Sequence, residues 1–291
     1  VAQSLMATRW LKAGGERQDS VSQHAARYYS LSHSGEPMLL EFSGAATSSL
    51  LSTTAHSGRY YWWGNRGDLM NSRLVIPLDL RDVEKATLRF WVWYDVETSY
   101  DYVYLTASAD GGRSWSNLGG RFTTDANPTG NNLGRGWTGV SGGGPAPVWV
   151  QEEVDLSPFA GKQVLLGYDY VTDDGYVGQG FALDDIQVPE VGFFDDGEKA
   201  GTWQAEGFVR TDGEVPQRYV LHLVQEGTRR SVERVEVDAN QRSHLLVPAA
   251  SGDSQRLTLI VAALAPLTGE RAPIRLSLRT LSPAQPVRGA Y

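Results

Sequence analysis

Short runs of alternating apolar and polar residues, rich in Val, Tyr, Trp and Leu and separated by Gly, Asn, Asp or Pro, fill this chain almost from end to end. A period of two buries one face of an extended strand, whereas a helix needs apolar residues every third or fourth position. The alternation is clear over residues 86–93, 100–107, 148–154 and 163–171, and again over 203–210, 218–225, 230–237, 243–247, 256–264 and 274–279. A helix is expected only over residues 4–12, where Leu5, Thr8, Trp10 and Leu11 cluster before Gly14-Gly15. Many strands punctuated by turn residues specify an all-β chain built from antiparallel sandwiches.

At 291 residues the chain can bury two cores of ordinary size. The pattern places a boundary near Pro189-Glu190. Residues 36–190 are expected to form one sandwich, and residues 191–291 a smaller one of immunoglobulin or fibronectin type. Residues 1–35 read as an extension whose strand-like end, 27–31, pairs with an edge of the first sandwich or is donated to a neighbour. A loop rich in Gly, Asn and Pro runs from Gly119 to Pro147. Something must order it, and the expected anchor is a metal or the sheet face.

The formal net charge is −8, and no basic run exceeds Arg229-Arg230, so nucleic acid and anionic membranes are poor partners. Cysteine is absent, which excludes disulfides and suits the cytosol and many secreted bacterial proteins alike. No apolar run approaches the ~18 residues of a membrane span. The chain opens at Val1 with neither an initiator methionine nor a signal peptide, so a processed piece of a longer precursor is expected.

Two aromatic strands end in carboxylates. The first runs Phe90-Trp91-Val92-Trp93-Tyr94-Asp95-Val96-Glu97 and continues to Asp101; the second runs Tyr168-Asp169-Tyr170-Val171-Thr172-Asp173-Asp174. Clustered carboxylates without histidine or cysteine suit a hard cation, and calcium takes about six to eight such oxygens. Asp184-Asp185 breaks the alternation of its strand, which calls for a bulge that turns one carboxylate inward, where two like charges need a cation or donors. The expected calcium ligands are therefore Asp184, Asp185, Glu97, Asp101, Asp173 and Asp68.

Catalytic signatures are missing. None of His24, His33, His56, His222 and His244 begins a His-Glu-x-x-His helix, so no zinc site of that kind is expected. There is no cysteine nucleophile and no Gly-x-Ser-x-Gly elbow. Paired carboxylates can hydrolyse glycosides, but nothing in the spacing sets a pair across a cleft. Exposed rings could stack on sugars, with Trp63 in Tyr60-Tyr61-Trp62-Trp63 a candidate beside Trp137 and Arg135 of the long loop, although core packing is the commoner use of such rings. Arg66-Gly67-Asp68 is too short a match to an integrin-binding tripeptide to carry weight.

Together these residues resemble the non-catalytic C-terminal region of the immune-inhibitor-A family of secreted bacterial metallopeptidases. The likeness rests on His56-Ser57-Gly58-Arg59-Tyr60-Tyr61-Trp62-Trp63, Asp110-Gly111-Gly112-Arg113-Ser114-Trp115, Trp149-Val150-Gln151-Glu152 and Gly180-Phe181-Ala182-Leu183-Asp184-Asp185-Ile186, within residues 23–237. It implies a jelly roll similar to MAM and carbohydrate-binding modules, an extracellular life and bound calcium, without the family's zinc helix. The leading expectation is a secreted, calcium-stabilised accessory region that steadies a parent catalytic domain or attaches it to a protein or polysaccharide surface. An alternative is a structural homo-oligomer in which residues 1–31 add a strand to a neighbour's sheet edge. A free-standing carbohydrate-binding module is a third.

Overall fold

The computed structural model describes residues 9–32, 36–227, 229–247, 249 and 256–281. Among these described residues the regular structure is strand apart from two single-turn 3-10 helices. In chain order the strands are β1 (Arg9–Leu11), β2 (Gly15–Val21), β3 (Ala25–Leu31), β4 (Met38–Gly44), β5 (Thr47–Ser49), β6 (Tyr61–Trp63), β7 (Asn71–Asp79) and β8 (Thr87–Asp95). There follow β9 (Tyr102–Ser108), β10 (Ser116–Leu118), β11 (Gly136–Trp137), β12 (Val150–Asp155), β13 (Gln163–Val171), β14 (Gly180–Val188), β15 (Phe193–Asp195), β16 (Gln204–Glu206) and β17 (Val209–Thr211). The chain closes with β18 (Glu214–Pro216), β19 (Tyr219–Glu226), β20 (Arg230–Val235), β21 (Arg242–Val247), β22 (Arg256–Ala263) and β23 (Ala272–Thr280).

The chain divides into two compact units, Leu51–Gly213 and a second assembled from Val1–Leu50 with Glu214–Tyr291. In the first unit, one antiparallel sheet has the order β10-β9-β13-β7-β16, with β11 also beside β9. The other has the order β12-β8-β14-β6-β17, with β15 beside β14. Alternation decides what lies between them. Leu74, Ile76, Val103, Leu105, Leu166 and Tyr168 of the first sheet meet Leu88, Phe90, Val92, Tyr94, Phe181 and Leu183 of the second in one buried core.

The second unit corrects the expected domain boundaries. β2 pairs with β23 over seven residues, from Gly15 opposite Leu278 to Val21 opposite Ala272, and β4 lies between β23 and β21. The opposing sheet is β20-β19-β22, joined to the parallel pair β1-β3 through a bridge between Gln23 and Ala263. Residues 1–35 are thus no appendage to the first sandwich; their described strands complete the second. The physical reason is the core. Leu11, Val21, Tyr29 and Leu31 are buried with Leu221, Leu259, Leu276 and Leu278, which the C-terminal strands alone would leave half covered. Residues 4–8 of the expected helix lie outside the described residues, and Arg9–Leu11 is a strand.

The run 203–210 also belongs elsewhere than expected. It splits at Gly207-Phe208: β16 pairs with β7 of one sheet and β17 with β6 of the other, so the chain turns a corner of the first sandwich. Trp203 and Phe208 sit in that sandwich's core, which is why the unit extends past Pro189 to Gly213. Gly207 makes the corner possible. Its φ is +81°, and a Cβ there would lie 2.3 Å from the Ser72 hydroxyl.

Candidate metal centre

Three connections of the first sandwich cross between its sheets at the same end. The registers fix this: Val171 lies opposite both Asn71 and Tyr102 in one sheet, while Gly180 lies opposite Asp95 and Ala182 opposite Trp63 in the other. The β6–β7, β8–β9 and β13–β14 loops therefore share one rim. Glu97 and Asp101 come from the second of these loops and Asp173 from the third.

Carboxylate oxygens of Glu97, Asp101 and Asp173 lie within 4.8 Å of one another. The backbone prepares this contact: the Asp101 N–H donates to the Glu97 carbonyl at 3.0 Å, and Ser99 between them has a φ of +69°. Asp101 is fully buried; its Oδ1 accepts the Asp173 N–H at 3.0 Å, while its Oδ2 has no partner. Glu97 Oε2 is likewise buried without a partner. Asp173 accepts the Gly175 N–H at 2.9 Å and the Asn131 side-chain amide at 3.2 Å. Burial, with the Asp173 and Glu97 charges adding to it, pushes the Asp101 carboxyl up to about 6. Such a cluster asks for either protons or a cation, and three converging carboxylates fit calcium.

The structure divides the six expected ligands. Glu97, Asp101 and Asp173 come together, whereas Asp68 is exposed in the β6–β7 loop and outside the cluster. Asp184 and Asp185 form a separate anchor on β14. The expected bulge is present, with a register shift between Asp184 and Gln187 and a φ of +48° at Asp185. Hydrogen-bond donors surround the two carboxylates here. Asp184 accepts the N–H groups of His56, Ser57 and Asp185 at 2.8, 3.1 and 2.8 Å. Asp185 engages His56 Nδ1 at 2.6 Å and the Ser57 hydroxyl at 2.7 Å. The pair pins His56 and Ser57, and the His56 ring stacks on Trp91 at 3.9 Å.

Asp184 yields a pH prediction. Burial raises its carboxyl from 3.8 to about 6. A folded value above the unfolded one means that this group's contribution to stability falls as pH rises through that window. Substitution by Asn abolishes the titration, so the cost of Asp184→Asn in calcium-free urea unfolding should be greatest near pH 4. It should shrink by up to about 3 kcal/mol by pH 7. A cost that grows with pH would show that the backbone donors outweigh burial.

The ligand-facing aromatic candidates are corrected. Trp63 is buried, with its Nε1 donating to the Gln179 carbonyl at 3.1 Å. Trp137 is buried against Phe90 and Phe181, and its Nε1 donates to Glu152 Oε1 at 2.6 Å. Large rings in a sandwich lose more water-exposed area by filling the core than by facing outward. Arg135 is exposed, with its guanidinium lying beside Gly119.

Glu152 went unnoticed in the sequence. It is fully buried, and besides Trp137 it accepts the N–H groups of Arg121 at 2.6 Å and Phe122 at 2.9 Å. This carboxylate anchors the long loop from inside the sandwich, while Asn131 ties the loop's far side to Asp173 and to the Tyr100 carbonyl. Strand parity was the available signal: Glu152 shares a face with the buried Val154.

Comparison with known proteins places this geometry in context. The family described as "Immune inhibitor A-like, MAM domain" matches residues 35–213, which nearly coincides with the first unit. Pre-pro-metalloprotease PrtV of Vibrio cholerae serotype O1 is 31% identical over 159 residues, covering 54% of this chain and 16% of that protein. Immune inhibitor A of Bacillus thuringiensis subsp. alesti is 28% identical over 171 residues, 57% of this chain and 23% of its own length. Bacillopeptidase F of Bacillus subtilis is 23% identical over 128 residues, 44% of this chain and 8% of its own. The match thus spans under a quarter of each relative.

Proposed function

Because the chain belongs to the immune inhibitor A-like MAM domain family, we propose that it is a calcium-stabilised, non-catalytic accessory region of a secreted bacterial metallopeptidase. Its role in this reading is to steady a parent catalytic domain or hold it at a protein or polysaccharide surface. Two relatives carry metalloprotease and immune inhibitor names, and the matched region is a minor part of each. Among the described residues no helix is long and apolar enough to cross a membrane.

The observation that carries the calcium reading is the pair of buried, unpartnered oxygens, Asp101 Oδ2 and Glu97 Oε2. A native fold leaves few such atoms, and a missing ion is one ordinary cause. Glu97, Asp101 and Asp173 would hold the ion. Calcium would supply charge compensation there and bind the β8–β9 loop to the β13–β14 loop.

Strand donation by residues 1–31 has weaker support, because β2 already pairs with β23 and β1 with β3 within their own chain. The test is a casein-cleavage assay of the purified chain with zinc, run beside light scattering and calcium titration. Calcium binding, no cleavage and a monomer mass are expected. Chelator-sensitive cleavage would overturn the accessory role, and a polymer would revive the structural reading.

A further inference from the structure

Three residues linked to the carboxylate cluster through the backbone expose large apolar side chains. Leu69 is 78% exposed, Tyr176 69% and Tyr100 44%. Each is tied to the cluster. The Leu69 N–H donates to the Asp173 carbonyl at 2.7 Å, Tyr100 lies between Glu97 and Asp101, and Tyr176 follows Gly175, where a Cβ would come within 3.3 Å of Glu97 Oε2. Leu69 also has a φ of +51°, a conformation a leucine seldom adopts. Facing water costs tyrosine and leucine free energy, so three such exposed residues on the loops that carry one site point to a recognition surface.

We propose that this rim is a calcium-dependent binding site for neutral glycans bearing vicinal hydroxyl pairs. The inference rests on the calcium reading of Glu97, Asp101 and Asp173. Three side chains fill only part of a shell of about six to eight oxygens, and Glu97 and Asp173 are only half-buried, so positions on their side remain for ligand oxygens. Charge selects among them. Three carboxylates around a divalent cation leave the site net negative, on a chain of net charge −8, which disfavours phosphate, sulfate and carboxylate ligands. Neutral hydroxyls bring oxygen without that repulsion. The flanking tyrosines suit the same ligand, because a sugar ring offers an apolar C–H face to stack on an aromatic one while its hydroxyls meet the ion.

The experiment uses the full chain with mannan, galactomannan and dextran as neutral probes, and vesicles of equimolar phosphatidylcholine and phosphatidylserine as an anionic one, each in calcium and in EDTA. Calcium-dependent binding to a neutral glycan is expected, with Tyr100→Ala and Tyr176→Ala each weakening it at least tenfold. Both variants should keep the wild-type response of the thermal midpoint to calcium, since neither residue lends a carboxylate. If calcium raises the midpoint yet no glycan binds, the recognition proposal fails and the metal reading stands. If calcium neither binds nor stabilises, both fail. Binding to the vesicles in place of the glycans, or glycan binding that survives EDTA, overturns the proposal as well.

Discussion

In saturating calcium, Asp101→Asn should melt about 10 °C below the wild type, and in EDTA the two should coincide or change order. A ligand of the native state adds about 4 kcal/mol when its concentration is a thousand times its dissociation constant. For a domain of 150–250 residues each kcal/mol moves the midpoint by roughly 2–4 °C. The apo prediction follows from burial. At pH 7.5 the wild-type protein must hold a buried Asp101 carboxylate against Glu97 and Asp173, a charge its raised value of about 6 shows to be unwelcome. Asn keeps an acceptor for the Asp173 N–H and carries no charge, so calcium-free protein should lose little or gain. Differential scanning calorimetry in both conditions decides it. An equal loss with and without calcium would make Asp101 a structural hydrogen-bond acceptor and nothing more.

Glu152→Ala should destabilise the protein by about 4 kcal/mol whether or not calcium is present. The substitution strands three donors, the part-buried N–H groups of Arg121 and Phe122 and the buried Trp137 indole, and each unmet buried donor costs about 1–3 kcal/mol. Glu152→Gln should cost less: its one oxygen can still serve two donors, while its amide faces the third. The readouts are urea unfolding and trypsin cleavage at Arg121 and Arg135, which should accelerate as the loop loosens. A loss under about 1 kcal/mol for the Ala variant would mean that the loop is held by its Asn131 contacts instead.

These two sites differ in how plainly the sequence announces them. Glu97, Asp101 and Asp173 stand at the ends of aromatic strands, and a carboxylate at a strand end reaches one rim of a sandwich. Which strand ends share that rim was decided by the strand pairing. Asp184 and Asp185 carry the same local signal, and the bulge it calls for is there, but His56 and Ser57 arrive from 128 residues away to satisfy them. Nothing in the strand itself says whether a cation or an amide will meet the charge. Glu152 stands at an inward position of β12 and yet reads like any polar residue, since its partners lie across a long loop.

The alternation of apolar residues by itself determined the class of fold, the position of most strands and the inward face of each. Period-two burial is a local property, read from neighbours in the chain. Only the tertiary structure decided which strands share a sheet. Thus β2 and β4 complete the C-terminal sandwich, and the chain at Gly207 turns a corner of the first. Pairing between distant strands depends on which halves of a core can cover each other, and that long-range complementarity leaves no trace in the spacing of residues along one strand.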